Sequence, residues 1–310
     1  MDNYTEETKK WLDDRFKMYN KDGVYFAHQP IYGFGIGNHE PYIVTRYIRT
    51  YQIMKALSHL KFSSLLDVGG AEGYQAYLAS QLFKVRVECC DLSEEACKRA
   101  KEIFNLKAIP ADIHNLPFKN NEFDVVTCSE TLEHVTDVKK AMNNLLKVAK
   151  KAVVITVPHE SQEMIENNIK QGSPHAHIHK FEVNSFDYLK QENKYQILVK
   201  RMNIQKLALF SYLLEGGELT EELKNQVPNI LFNFGKLSFV ILRKFFVKPT
   251  AAFLIQLDHY LCNHFKTYYG GIVFIILKDV KSYSKKEVKK ISAMEIQNIT
   301  VPLYYLKNKD

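Results

Sequence analysis

The chain has 310 residues, of which 46% are hydrophobic and 25% charged, and its formal net charge is +7 at pH 7. This length allows a catalytic domain with additions and a sizeable core, and the composition is globular rather than disordered or fibrous. The N-terminus is acidic and polar, so we expect no secretory signal peptide. The five cysteines are odd in number, and we expect them to be reduced core residues of a cytoplasmic protein.

Residues 1–62 precede the first motif and are predicted to form a helical and flap-like segment. Apolar spacing predicts helices over Glu6–Tyr19 and Tyr42–Leu60. Between them, residues 25–39 are rich in aromatic side chains and glycine, a composition typical of a mobile loop over a pocket. An ordinary packed extension is the alternative.

The run from Leu65 to Tyr74 combines a buried strand, a glycine-rich turn and the start of a helix. Its sequence is LLDVGGAEGY. Glycines let a backbone approach a ligand closely, and a helix N-terminus offers free N–H groups, so this run predicts a nucleotide-type cofactor site. The glycine spacing departs from G-x-G-x-x-G, and a tight turn without a ligand is the alternative.

Further strands alternate with helical patterns along the chain. Two of them end in acidic residues, Asp91 and Asp112, and Ser93 is the expected N-cap of the helix that follows the first. This alternation indicates a parallel sheet, in which ligands bind at the carboxyl ends of the strands. Asp91 is therefore well placed to accept hydrogen bonds from ribose hydroxyls. The predicted strands after the first are 85–91, 108–113, 123–130, 152–158, 195–204 and 270–278.

Taken together, these motifs resemble those of class I S-adenosylmethionine (SAM)-dependent methyltransferases. The matching segments are LDVGGAEG at 66–73, CDLS at 90–93, ADIHNLPF at 111–118, FDVV at 123–126 and ETLEHV at 130–135. The resemblance covers roughly residues 63–186. It implies an α/β fold with a Rossmann-like, doubly wound and mostly parallel sheet of seven strands. A helical insertion at residues 205–269 is expected before the last strand.

The resemblance also implies which residues bind the methionine end of SAM. Asp67 would orient that end, partly through water. Gly69, Ala71 and Gly73 would provide the backbone turn around it. The family usually has glycine where this chain has Ala71.

The adenosine end of SAM is assigned in the same way. Asp91 would hold the ribose hydroxyls, and Leu92 would pack on the adenine. Asp112 and the N–H of Ile113 would bind the adenine edge, and Ser129 would lie near the transferring methyl group. For each acid, a helix cap or a solvated loop position is the alternative.

A second group of polar residues follows the fourth strand. A helix beginning at Glu130 would place Glu130, Glu133 and His134 on one face, and a downstream loop that carries His179 would reach back over the cofactor. Carboxylates and imidazoles suit a divalent metal, which could lower the pKa of a substrate hydroxyl. The pattern is similar to that of two metal-using families, the small-RNA 3′-terminal 2′-O-methyltransferases and the ubiquinone-pathway O-methyltransferases. Carried over, all four residues would be metal ligands.

The same Glu-x-x-Glu-His motif also occurs in SAM methyltransferases that use no metal. In that interpretation, His134 acts as a base together with Glu133, and no ion is bound. A purely structural role is the third interpretation. His175 and His177 are interpreted as loop residues.

The insertion at 205–269 has helical apolar patterning in which cations and phenylalanines interleave. No acidic residue occurs from Leu223 to Leu257, and no stretch reaches the roughly 18 uncharged apolar residues of a membrane-spanning helix. A helical lid, an interfacial helix at a membrane surface and an RNA-contacting surface are the three interpretations left open. Residues 281–310 form a basic tail. The phenylalanines are Phe232, Phe234, Phe239, Phe245, Phe246 and Phe253.

We therefore predict a cytoplasmic SAM-dependent methyltransferase with its core at residues 63–204 and 270–280. Because the additions are apolar and aromatic, O-methylation of a small or lipid-like acceptor is the favoured reaction. The alternatives are an RNA 2′-O-methyltransferase with a divalent metal and a non-catalytic SAM-binding protein. Any membrane contact would be peripheral.

Overall fold

The computed structural model of the chain describes residues 2–19, 24–34, 42–193, 195–204, 207, 211–212, 214, 241–242, 244–265, 268–299 and 301. Within these residues, seven strands form one sheet. The strands are β1 (Ser64–Val68), β2 (Arg86–Asp91), β3 (Lys107–Pro110), β4 (Phe123–Ser129), β5 (Ala149–Pro158), β6 (Gln196–Ile204) and β7 (Tyr269–Leu277). Their order across the sheet is β3-β2-β1-β4-β5-β7-β6.

Most neighbouring strands are parallel, and the last strand of the chain is the exception. β1 pairs in parallel with β2 and β4, β3 with β2, and β5 with β4. β7 runs antiparallel between β5 and β6. The strand order reverses at β1 and β4, and a crevice for a ligand forms at the carboxyl ends of such a pair. The predicted α/β, Rossmann-like, mostly parallel sheet of seven strands is confirmed.

Helices pack around the sheet, and side-chain caps define where several of them begin. Asp2 accepts a hydrogen bond from Thr5 N at 2.8 Å, so the first helix begins at Asn3 rather than at the predicted Glu6. Ser93 caps the fourth helix as predicted. The helices are α1 (Asn3–Lys17), α2 (Ile43–Leu57), α3 (Tyr74–Phe83), α4 (Glu94–Phe104), α5 (Val138–Val148), α6 (Gln162–Gln171), α7 (Tyr188–Asn193), α8 (Val247–His264) and α9 (Ala293–Asn298).

The hydrophobic core lies on both faces of the sheet. Successive side chains of a strand point to opposite faces, which splits β5 between two clusters. Ala152 and Val154 pack with buried residues of α2 and α8, whereas Val153 and Ile155 pack with those of α5. The central strands β1, β4 and β5 are mostly apolar because both of their faces are covered.

The described part of the predicted flap is packed against the body of the domain. Val24, Phe26 and Ile31 are buried, as the packed-extension alternative expects. Arg99 donates to the Phe26 carbonyl oxygen, which anchors the segment to α4. Residues 35–39 of the predicted flap lie outside the described residues.

The segments after β6 and β7 return to the same core. α8 packs on β6 and α2, and α9 packs on α8. The predicted basic tail is tied down where Lys55 pairs with Glu287. No helix within the described ranges is long and apolar enough to cross a membrane. The insertion's residues 215–240, with Phe232, Phe234 and Phe239, lie outside the described residues.

Candidate functional site

A single cavity lies at the carboxyl edge of the sheet, where β1, β2 and β4 end. One part of its wall consists of predicted cofactor residues, and the other part is polar and rich in histidine. The first part includes Gly69, Ala71, Asp91, Leu92, Asp112, Ile113 and Ser129. The second includes His28, Arg49, Glu130, His134 and His175. The cavity therefore has two adjoining parts, one with room for a cofactor and one with room for a second molecule.

The glycine-rich turn after β1 is built on left-handed backbone conformations. Gly69 and Gly73 have φ of +70° and +84°, and Ala71 has φ of +46°. A left-handed conformation costs a residue with a Cβ atom about 1 kcal/mol, which explains why glycine is usual at the position of Ala71. A Cβ atom on Gly69 would lie 2.2 Å from Thr131 Oγ1, so the turn has no room for a side chain there.

Two glycine substitutions separate backbone strain from steric overlap. Gly69→Ala should lower the free energy of unfolding by about 3 kcal/mol, because a left-handed alanine and overpacking against Thr131 both contribute. Gly172 has φ of +59° and would place a Cβ in open space, so Gly172→Ala should cost only about 1 kcal/mol. Urea unfolding of both variants measures the difference. Equal losses would show that the turn can yield around Thr131.

Asp67 lies beneath this turn rather than in the cavity wall. Thr127 Oγ1 donates to Asp67 Oδ1 at 2.6 Å, whereas Oδ2 has no hydrogen-bond partner among the described residues. Burial raises the pKa of the Asp67 carboxyl to about 7. A buried carboxylate oxygen without a partner fits the predicted role of orienting a positively charged group.

Asp91 and Asp112 hold the loops that follow their strands. Asp91 accepts hydrogen bonds from Ala71 N and Ser93 N, each at 2.9 Å. Asp112 accepts from the backbone and the ring of His114, at 2.9 and 2.8 Å. Both acids also line the cavity. Both acids therefore cap the loops that follow their strands, as the alternative interpretation expects, and their cofactor contacts stay a prediction.

The fourth strand leads into a turn rather than an α-helix. Glu130 has φ of +49°, a left-handed conformation that an α-helix excludes, and only one 3-10 turn, Leu132–His134, follows. Glu130 Oε2 instead pairs with Arg49 Nη2 at 2.7 Å. The expectation of a helix beginning at Glu130 is therefore wrong, and the two glutamates do not share a helix face. Ser129 Oγ hydrogen-bonds Thr156 Oγ1 at 2.8 Å.

Histidine rings crowd the polar end of the cavity. The ring of His134 lies 3.6 Å from that of His175 and 4.7 Å from that of His177, measured between centroids. Burial lowers the pKa of His134 well below its usual value and that of His175 to about 4. Both rings are therefore neutral at pH 7, and each keeps a lone pair that can accept a proton or bind a cation.

Helix α1 covers the cavity from the outside. Leu12 and Phe16 line the cavity, and they pack with Ala71 and Leu92 of the cofactor end. At the opposite end of α1, the Tyr4 hydroxyl donates to the Ala176 carbonyl oxygen at 3.2 Å. The N-terminal helix thus spans both parts of the site.

Gln29 connects the N-terminal segment to the glycine-rich turn. Its backbone N donates to Glu72 Oε1 at 2.6 Å, and its side-chain Nε2 donates to the Gly70 carbonyl oxygen at 3.3 Å. Its Oε1 accepts from Gln75 N at 3.1 Å. Residues far apart in sequence therefore fix the turn in place.

The segment that carries the turn and the strand ends matches a known family. Residues 66–157 match the family model described as a methyltransferase domain. The chain carries a class I, SAM-dependent methyltransferase domain. The resemblance of its motifs to that family is thereby confirmed.

The methyltransferase domain is similar in sequence to known proteins over part of their length. An uncharacterised protein of Methanocaldococcus jannaschii is 34% identical over 148 residues, which are 46% of this chain and 63% of that protein. The ubiquinone/menaquinone biosynthesis C-methyltransferase UbiE of Klebsiella pneumoniae is 30% identical over 112 residues, 33% of this chain and 45% of that protein. The chain thus spans less than two thirds of these curated relatives.

Solved structures share the fold of the methyltransferase domain. Geranyl diphosphate C-methyltransferase from Streptomyces coelicolor has a TM-score of 0.52 and 14% identity, over 89% of this chain and 98% of that chain. Phosphoethanolamine N-methyltransferase 2 from Haemonchus contortus has a TM-score of 0.50 and 15% identity, over 89% of this chain and 75% of that chain. At these identities the likeness concerns the fold alone.

The four residues predicted as metal ligands are only partly brought together. Glu133 and His134 are adjacent, but Glu130 is held by Arg49. His179 Nε2 lies 2.6 Å from the Val135 carbonyl oxygen, outside the wall of the main cavity. Among the described residues, the third group beside Glu133 and His134 is His177.

Several residues of the site were not among those predicted from the sequence. They are His28, Arg49, His175 and His177, and they lie on the N-terminal segment, on α2 and on the loop after α6. For the loop, the alternating pattern His-x-His-x-His at 175–179 was the available signal. The sequence contained no signal for Arg49, because its partner Glu130 lies far along the chain.

Proposed function

We propose that this chain transfers a methyl group from SAM to an oxygen atom of a small or lipid-like acceptor. The observation that carries the proposal is the shared cavity, whose cofactor end adjoins a polar end. A methyl transfer needs two molecules held in line, and a cavity with two chemically distinct ends can hold both.

The cofactor end fits SAM in its chemistry. We assign the ammonium group of SAM to Asp67, whose unpartnered Oδ2 lies beneath the turn. The ribose hydroxyls are assigned to Asp91 and the adenine edge to Asp112, because both carboxylates line the cavity. Leu92 offers an apolar surface for adenine. Bound SAM supplies an electrophilic methyl group on its sulfonium, and the residues of the chain supply position and a proton acceptor.

The polar end suits an acceptor that loses a proton. As the acceptor oxygen bonds to the methyl carbon, the carbon–sulfur bond breaks and its electron pair stays on sulfur. The hydroxyl proton then needs a base. The rings of His134 and His175 lie in the cavity wall, tilted by 48° against each other with their centroids 3.6 Å apart, and both are neutral because burial lowers their pKa. Helix α1 lines the cavity with Thr5, Thr8, Leu12 and Phe16 and would limit the access of water to this step.

Calorimetric titration of SAM tests the cofactor end. Wild-type protein should bind SAM with micromolar affinity, and Asp91→Asn should weaken binding at least tenfold, about 1.4 kcal/mol. Glu88→Gln is the matched control, because Glu88 is a buried acid of the same strand that does not line the cavity and pairs with Arg86 and Lys107. An Asp91→Asn affinity equal to that of the control would remove Asp91 from the cofactor site.

Radiolabelled methyl groups test the acceptor. The full chain is incubated with methyl-labelled SAM and one of three pools: hydroxylated small molecules, a lipid extract or total RNA. Label in either of the first two pools supports the proposal, and label in RNA supports RNA 2′-O-methylation instead. Tight SAM binding without label in any pool would indicate a non-catalytic SAM-binding protein.

Transfer to carbon is the second candidate reaction. It is favoured by the UbiE relatives, which are C-methyltransferases and are 30% identical over 112 residues. A carbon acceptor also needs a base, so the same histidines would serve. The NMR shift of the transferred methyl group in the product separates an ether from a carbon-bound methyl.

A further inference from the structure

Three potential metal ligands converge beside the polar end of the cavity. One nitrogen each of His134 and His177 and one oxygen of Glu133 lie within 4.8 Å of one another. Glu133 is fully buried, and neither of its carboxylate oxygens has a hydrogen-bond partner in the described part of the chain. A buried carboxylate left without any donor is costly unless a cation or a proton neutralises it.

The hydrogen bonds of the two histidines fix which ring nitrogen is free. His134 Nδ1 lies 3.1 Å from the Ala176 carbonyl oxygen, which only accepts, so Nδ1 carries the proton and Nε2 keeps its lone pair. His177 Nδ1 lies 2.8 Å from Glu160 Oε2, which leaves its Nε2 free in the same way. Metal-binding histidines commonly hold their other N–H on a carbonyl or a carboxylate.

The loop that carries His177 is held in position by its backbone. Ile178 N donates to the Glu133 carbonyl oxygen at 2.8 Å, and Asn168 Nδ2 donates to the His177 carbonyl oxygen at 3.2 Å. The ligand from the loop and the ligands after β4 are thus joined directly. A site of this kind is largely formed before an ion arrives.

We propose that Glu133, His134 and His177 bind a divalent transition-metal ion, with Glu160 orienting His177. Two imidazoles and one carboxylate form the donor set of catalytic zinc sites and of mononuclear non-haem iron sites, and both leave a position open. This set replaces the predicted one, because Glu130 is paired with Arg49 and His179 with a carbonyl oxygen.

The catalytic part of this inference rests on the proposed methyl transfer. The open position next to His134 would receive the acceptor oxygen. The acceptor is then a compound whose hydroxyl oxygen can coordinate a cation.

Metal titration of the full chain tests the site. Chelator-treated protein is titrated with Zn²⁺ by calorimetry, and Co²⁺ loading is followed by visible absorption. We expect one ion per chain in wild type and at least hundredfold weaker binding in Glu133→Gln and His177→Gln. His179→Gln is the control and should bind as wild type does. Glutamine has the same size as glutamate and does not ionise in the buried position, so Glu133→Gln should retain the fold.

SAM titration of the same proteins separates the two proposals. The metal site would be overturned if wild type bound no stoichiometric metal, or if Glu133→Gln and His177→Gln kept the metal affinity of wild type. SAM binding would be intact in either case. Loss of metal from His179→Gln but not from His177→Gln would also overturn it. Metal uptake in a protein that binds no SAM would instead overturn the proposed function.

Discussion

Asp67→Asn is expected to stabilise the cofactor-free protein at pH 8 and to weaken SAM binding at the same time. Burial places the pKa of the folded-state carboxyl at about 7, against an ordinary value of 3.8. A folded state that holds the proton more tightly loses stability as the pH rises from about 4 to above 7. Asparagine cannot ionise, so it avoids that loss, which is on the order of 2–4 kcal/mol.

The two effects of Asp67→Asn have a common cause. An ionised Asp67 is unfavourable without a partner and favourable next to the ammonium group of SAM, so the substitution should weaken SAM binding at least tenfold. Thermal unfolding at pH 5 and pH 8 measures the first effect, and calorimetry measures the second. Asp14→Asn, at an exposed position of α1, is the control. If the difference in unfolding temperature between wild type and Asp67→Asn were the same at pH 5 and pH 8, the raised pKa of Asp67 would be refuted.

The sheet could be predicted from the sequence because its strands are continuous apolar runs. Runs such as Ala152–Val157 are buried on both faces and allow few other interpretations. The start of a helix depends on neighbouring residues, and Ser93 could be identified as a cap from its neighbours in the sequence alone. Glu130 shows the limit, because its left-handed backbone is stabilised by the distant Arg49 rather than by its own sequence context.

The candidate site likewise has one part that local sequence predicts and one part that it does not. The predicted cofactor residues come from four strand-to-loop junctions, and one motif specifies each junction. The cover and the polar end arise from contacts between distant segments, such as Tyr4 with Ala176. A local pattern contains no information about which loop reaches the cavity, so the sequence pointed to His179 and the structure points to His177.

Asp13 connects helix α1, which covers the cavity, to the cofactor end of the site. Its Oδ1 accepts from Ser93 Oγ at 2.7 Å and from Glu95 N at 3.2 Å, at the beginning of α4. Lys9 pairs with Asp13 at 3.0 Å and with Glu94 at 2.9 Å. These contacts hold α1 over the loop that follows Asp91, which is the predicted ribose contact.

Asp13→Ala should therefore release SAM faster without changing how SAM is bound. Loss of the carboxylate leaves the Ser93 hydroxyl and the Glu95 N–H without their acceptor, so α1 should detach more often. We expect about a tenfold higher dissociation rate, equivalent to about 1.4 kcal/mol, and a loss of 1–2 kcal/mol in the free energy of unfolding. Stopped-flow dissociation of SAM measures the rate.

Asp14→Ala is the matched control for this release. Asp14 neighbours Asp13, carries the same charge and lies exposed on α1, so its substitution tests whether charge alone matters. Equal dissociation rates for the two variants would show that α1 is a fixed wall. A faster rate in Asp13→Ala alone would show that α1 acts as a cover, which must open before the cofactor product can leave and another SAM can enter.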